Sequence, residues 1–212
     1  MKFRVAHYVV GPVATNCYFM IAEDTKEAIV IDPGDAGEAL AQELIDASLH
    51  PVAILLTHGH FDHADGVEDL KKQFDTPIPV YACEAEKETL TDPHINLSGM
   101  MERGAKQYHA DVFVTDEQIL SLAGFEIRVL FTPGHTPGGC CFYFPKEKVL
   151  FSGDSLFCGS IGRTDFPKGS TAELVRSVKE KLLTLPEEVT VYAGHNESTT
   201  ILAEKCYNPF LA

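Results

Sequence analysis

Three of the nine histidines in this chain fall within six residues, in the string Thr57-His58-Gly59-His60-Phe61-Asp62-His63. Imidazole nitrogens and a carboxylate at this density are the donors that a borderline-soft divalent metal selects. A polar loop that happens to be rich in histidine is the inert alternative. The His-x-His-x-Asp-His string is rare enough by chance that the ligand reading is preferred. His58 and His60 are two apart, so in an extended segment both side chains point to one side. Asp62 and His63 are adjacent and precede a helical pattern carried by Val67 and Leu70, so they point elsewhere.

Three further ligand-capable residues, His135, Asp154 and His195, occur downstream. Each follows a short apolar run that stops in small residues, as the cluster itself does. Run 52–56 leads into Thr57, run 127–131 into Thr132-Pro133-Gly134-His135, run 149–151 into Ser152-Gly153-Asp154, and run 189–192 into Ala193-Gly194-His195. Such runs predict buried strands ending in turns. Four of them side by side bring their turns to one rim, where open α/β sheets place ligands. Alone, His135 or His195 would read as a structural histidine and Asp154 as a cap or turn residue. Taken together, they predict two divalent ions. His58, His60 and His135 hold the first, Asp62, His63 and His195 the second, and Asp154 bridges them.

That arrangement has a definite chemistry. Zinc is the preferred ion, with iron or manganese as alternatives, and it lowers the pKa of bound water from 15.7 to about 7. A hydroxide bridging the two ions could attack an ester, thioester, amide or phosphoryl centre. Asp62 would orient the nucleophile, and Asp154 would fix the metal spacing. No G-x-S-x-G elbow and no phosphate-binding glycine loop competes with this reading.

The order His58-x-His60-x-Asp62-His63, His135, Asp154, His195 resembles that of the metallo-β-lactamase superfamily. Within it the chain is similar to the glyoxalase II (hydroxyacylglutathione hydrolase) group in its short bacterial form. The similarity runs from Asn16-Cys17-Tyr18 to Asn208-Pro209-Phe210. It implies an α/β fold, an αβ/βα sandwich of two facing mixed β-sheets with helices on the outer faces and the metals at one edge. It also implies hydrolysis of a thioester such as S-lactoylglutathione. Longer members carry a C-terminal helical domain that holds glutathione, which the 17 residues after His195 do not lead one to expect here. They also have a lysine-containing loop after the bridging Asp and a tyrosine soon after the last His. Here the loop reads Gly159-Ser160-Ile161-Gly162-Arg163-Thr164-Asp165-Phe166, and Asn196-Glu197-Ser198 follows His195. Arg163 is the candidate substrate clamp, and a structural pairing with Asp165 is its alternative role. Segment 162–166 is similar as well to persulfide dioxygenases of the superfamily, which hold one iron on residues matching His58, His135 and Asp154. The second-metal residues, all present, favour the hydrolase over this oxidoreductase. A secreted β-lactamase is disfavoured because no export signal is seen. A non-catalytic metal-binding module is disfavoured because every ligand position is intact.

Composition sets the frame for the site. The 212 residues, 45% hydrophobic and free of low-complexity stretches, predict one domain over 1–212. No apolar leader and no run of 18 apolar residues occurs, so neither a membrane span nor secretion is expected, and the localisation read from this is cytoplasmic. Six cysteines, Cys140 and Cys141 adjacent and the other four scattered, read as reduced thiols. The net charge of −14, with 17 Lys and Arg and no basic run beyond Lys71-Lys72, argues against nucleic acid and for a small-molecule substrate. A monomer or a small homo-oligomer is expected.

The elements that must position the site follow from periodicity. Strands are predicted near 2–10, 16–22, 27–32, 51–56 and 78–82, with helices near 36–48 and 62–74 and another starting near Cys83. The second half predicts strands near 111–114, 118–122, 124–132, 139–145, 148–152 and 188–192. Its helices are predicted near 171–184, capped by Ser170 or Thr171, and near 196–205. Met100-Met101, in the irregular stretch 92–104, form a candidate cover over the site. The long loop between Asp154 and Ser170 is expected to bear on it.

Overall fold

The computed structural model describes residues 2–102 and 104–212. Two six-stranded mixed sheets carry the fold. The first contains β1 (Phe3–Val10), β2 (Thr15–Ala22), β3 (Glu27–Ile31), β4 (His50–Leu55), β5 (Val80–Cys83) and β6 (Val112–Val114), in that spatial order. Its first three strands are antiparallel and the rest parallel. The second sheet has the order β14-β13-β10-β9-β8-β7. It is built from β7 (Ile119–Leu122), β8 (Phe125–Phe131), β9 (Cys140–Phe144), β10 (Val149–Gly153), β13 (Thr190–Ala193) and β14 (Thr199–Thr200). Only the β10/β13 pair in it is parallel.

The period of two along each strand builds the layers. In β4, Ala53 and Leu55 face the second sheet, where they join Tyr18, Met20, Ile29, Phe125, Ile127, Phe142 and Phe151 in one core. Ile54 and Leu56 point the opposite way, with Phe19, Val30 and Val80, against Leu40 and Leu44 of α1 (Gly37–Asp46) and Leu70 of α3 (Val67–Lys71). On the other outer face, Leu130, Leu150 and Val191 meet Leu174 of α5 (Thr171–Ser177) and Ile201 of α6 (Ile201–Tyr207). Strands clad on both faces are mostly apolar and buried along their whole length, as β2, β9 and β10 are. The result is the expected αβ/βα sandwich.

Several elements differ from their sequence-based bounds. The helix expected over 62–74 is two pieces, α2 (Phe61–Ala64) and α3. They part at Gly66, whose N–H donates to the Pro33 carbonyl, 2.9 Å away, and where a Cβ would lie 2.7 Å from that oxygen. The element at 83 begins as a 3₁₀ turn, Glu84–Glu86, and continues as α4 (Lys87–Thr91). Helix α5 is capped by the Ser170 hydroxyl and runs on as a π-helical turn, Val178–Leu182. The helix expected from 196 starts at 201, because 199–200 pair with β13 first. The loop after Asp154 contains a small hairpin of β11 (Leu156–Phe157) and β12 (Ser160–Ile161).

Candidate metal centre

All seven expected ligands converge at one edge of the sandwich, in the turns after β4, β8, β10 and β13. His58 Nε2 and His135 Nε2 lie 3.1 and 3.0 Å from His60 Nδ1. The far side of two of these rings is already bonded. His135 Nδ1–H donates to the Arg163 carbonyl at 2.6 Å, and His58 Nδ1 lies 3.1 Å from Thr57 Oγ1, whose hydroxyl donates on to Asp32. These partners set the tautomers, so both Nε2 atoms bring lone pairs to a common point.

The remaining donors form a second lobe. Asp62 Oδ2 is 3.6 Å from His63 Nε2 and 3.3 Å from His195 Nε2. Asp154 lies between the lobes: its Oδ2 is 3.5 Å from both His135 Nε2 and His195 Nε2, and its Oδ1 is 3.4 Å from His63 Nε2. Three overlapping triads have donor atoms within 4.8 Å of one another: His58/His60/His135, His58/His63/Asp154 and Asp62/His63/His195. His63 Nε2 and Asp154 Oδ1 are buried without a partner in hydrogen-bond geometry. Buried polar atoms are rarely left so. A cation between them would satisfy both, so the donor set fits a pair of divalent ions.

Charge differs between the lobes. Burial, then the neighbouring imidazoles, holds His58 well below its usual range and His60 down to about 3, so these two rings favour the neutral form. Burial also works against charge on Asp62 and Asp154, but nearby imidazoles, His63 foremost, outweigh it. Asp62 sits well below the carboxylate range and Asp154 at about 2. Burial likewise opposes a proton on His63 and on His195, and the surrounding carboxylates prevail, so both are raised. A proton and a metal ion would therefore compete for the second lobe.

A buried polar shell holds these candidate ligands in place. Asp32, at φ +49°, accepts from the Thr57 amide (2.8 Å), the Thr57 hydroxyl (2.7 Å) and His63 Nδ1–H (2.9 Å). Thr15 donates to Asp62 Oδ2 at 2.8 Å. The Asn16 amide nitrogen donates to the carbonyls of Ala193 and Asn196, on either side of His195. Gly194 is needed for close approach, since a Cβ there would lie 2.3 Å from Asp154 Oδ1. The sequence reading missed these residues. Asp32 carried a signal, because it ends an apolar strand just as Asp154 does.

A cavity of about 770 Å³ opens over the array, lined by His60, Asp62, His135, Asp154 and His195 below and by Val9, Val13, Leu97, Phe157 and Phe166 on its walls. Met100 is 67% exposed and neither it nor Met101 lines this cavity; Leu97 from the same stretch does. Arg163 lines it too, with its guanidinium bound to both Asp165 oxygens (2.9 and 2.7 Å) and laid over the Phe166 ring.

The sequence profile of the metallo-β-lactamase superfamily matches residues 10–195. The chain belongs to this superfamily. Its relatives include "Probable metallo-hydrolase YqgX" of Bacillus subtilis, 42% identical over all of this chain and 98% of that one. "Hydroxyacylglutathione hydrolase GloC" of Haemophilus influenzae is 39% identical over 92% of each. Among solved structures, the BLEG-1 B3 metallo-β-lactamase superposes with a TM-score of 0.92 at 42% identity, covering 98% and 99% of the two chains. TTHA1623, solved in a di-iron-bound form, superposes with 0.84 at 35% identity, covering 97% and 100%. Within the metallo-β-lactamase superfamily, this chain is a metal-dependent hydrolase.

Proposed function

We propose that this metallo-hydrolase holds two divalent ions, the first on His58, His60 and His135 and the second on Asp62, His63 and His195, and cleaves a small-molecule thioester such as S-lactoylglutathione. The observation carrying the reading is the placement of Asp154 Oδ2, equidistant at 3.5 Å from a histidine of each lobe. When bound, the ions would supply an electrophile for the substrate carbonyl and acidify water to a pKa near 7, zinc being the preferred occupant and iron the alternative.

The protein's own groups complete the chemistry. Asp62, anchored through Oδ2 by Thr15, borders the cavity where it can take the proton of the attacking water. Asp154 keeps the two ligand sets in register. The apolar walls receive the non-reacting part of the substrate. Arg163 would bind a substrate carboxylate by exchanging it for Asp165, its bidentate partner in the free protein. The name of GloC, 39% identical, supports the thioester. A mononuclear-iron oxidoreductase would use His58, His135 and Asp154 and leave the rest of the second lobe without a task.

Three assays on the purified, metal-reconstituted protein separate the readings: hydrolysis of S-lactoylglutathione, hydrolysis of a β-lactam, and oxygen uptake with a persulfide. The expected result is thioester turnover that stops when metal is removed. Oxygen uptake with one iron per chain, or β-lactam cleavage without thioester cleavage, would replace it.

A further inference from the structure

Glu86 is completely buried, at 0% exposure, and has no role in the chemistry above. It closes the 3₁₀ turn after β5, the strand beside β4, which brings it beneath the His58-Gly59-His60 turn. Its Oε2 accepts the Gly59 N–H at 2.7 Å, and its Oε1 accepts the Gly138 N–H at 2.7 Å. These amides belong to loops from opposite sheets. One carries His58 and His60 at the end of β4, and the other follows His135 between β8 and β9. Among the described residues no lysine, arginine or histidine is ion-paired with Glu86. A buried carboxylate without a counter-ion is costly unless its oxygens are hydrogen-bonded. A carboxylate presents two equivalent acceptors on one rigid plane, whereas an amide presents one acceptor and one donor. The steric fit is equally tight: a Cβ on Gly59 would come within 3.1 Å of Glu86 Oε2, and one on Gly138 within 2.6 Å of the Glu86 amide nitrogen.

We propose that Glu86 is a positioning residue, a two-ended staple that sets the distance of His135 from His58 and His60 and so assembles the first lobe. The inference rests on the metal-site reading above. The second lobe has its own anchors in Asp32, Thr15 and Asn16, so the staple acts on one lobe only. In Glu86→Gln, the side-chain NH2 must oppose one of the two backbone N–H groups, and that loop moves away.

The test is a competitive zinc titration of wild type and Glu86→Gln against a chromophoric chelator, with far-UV circular dichroism of the metal-free proteins alongside. Removal of an outer hydrogen-bond partner typically costs 10–100-fold in metal affinity. The expected result is two equivalents bound by wild type and a loss of that size in one of them for the variant, with the other unchanged. A variant that binds both equivalents with wild-type affinity, or loses both equally, would overturn the proposal. Wild type that binds no zinc would instead overturn the reading on which it rests. Should Glu86→Gln not fold, amide exchange in the wild-type protein decides. Gly59 and Gly138 N–H should both be protected with or without metal, and rapid exchange of either would refute the staple.

Discussion

Replacing Asp32 by Asn tests whether the buried shell controls the ligands. Asp32 Oδ2 accepts from both His63 Nδ1–H and the Thr57 hydroxyl, while Oδ1 accepts the Thr57 amide. Keeping the Thr57 amide bond places the new NH2 group where Oδ2 was. The Thr57 hydroxyl can turn and accept from it, so that contact survives. His63 cannot donate to an NH2 group. It must break the bond or shift its proton from Nδ1 to Nε2, the atom that faces Asp62 and Asp154. A hydrogen bond to a charged group contributes about 1.5–3 kcal/mol, so a stability loss of that size is expected from Asp32→Asn. The tautomer change takes Nε2 out of the ligand set, and affinity for one of two zinc equivalents should fall by about 10–100-fold. Urea denaturation of the metal-free protein reads the first quantity and a chelator competition the second. Unchanged affinity for both equivalents, with the stability loss present, would refute the claim that Asp32 sets the His63 tautomer.

Three further outcomes follow from the same geometry. Gly194→Ala places a methyl group where a contact of 2.3 Å to Asp154 Oδ1 would result, so second-lobe occupancy measured by elemental analysis should drop while the fold persists. His63 and His195 are raised above their ordinary value and His58 and His60 lie below it, so metal entry displaces protons from the second lobe and not from those two rings of the first. The equivalent held by the second lobe should therefore bind more tightly as pH rises from 6 to 8, with proton release in calorimetry. Phe142→Ala, in the core between the sheets, should cost about 3–5 kcal/mol in urea unfolding without altering metal stoichiometry.

The convergence of the candidate ligands was legible in the sequence where the signal is local. The spacing of His58, His60, Asp62 and His63, and the recurrence of an apolar strand before His135, Asp154 and His195, place all seven at one rim. The sandwich was legible only through the family resemblance those residues carry, since the uniformly apolar run 52–56 does not tell that Ala53 and Leu55 face one layer and Ile54 and Leu56 the other. What escaped depends on contacts between distant segments. Glu86 looks like any charged residue in a helical start until Gly59 and Gly138 are brought to its two oxygens. The break in the 62–74 helix comes from Gly66 packing on Pro33, and the late start of α6 from 199–200 pairing with β13. Arg163 stood between two roles, and in the free protein its guanidinium is engaged by Asp165.

The central claim is that both lobes act together on a thioester. It is tested most directly by following S-lactoylglutathione hydrolysis while zinc is added stepwise to metal-free protein. The rate should climb as the second equivalent binds, with no turnover in His58→Ala or Asp154→Ala variants that keep the fold. Full activity at one equivalent, or none with two bound, would contradict it.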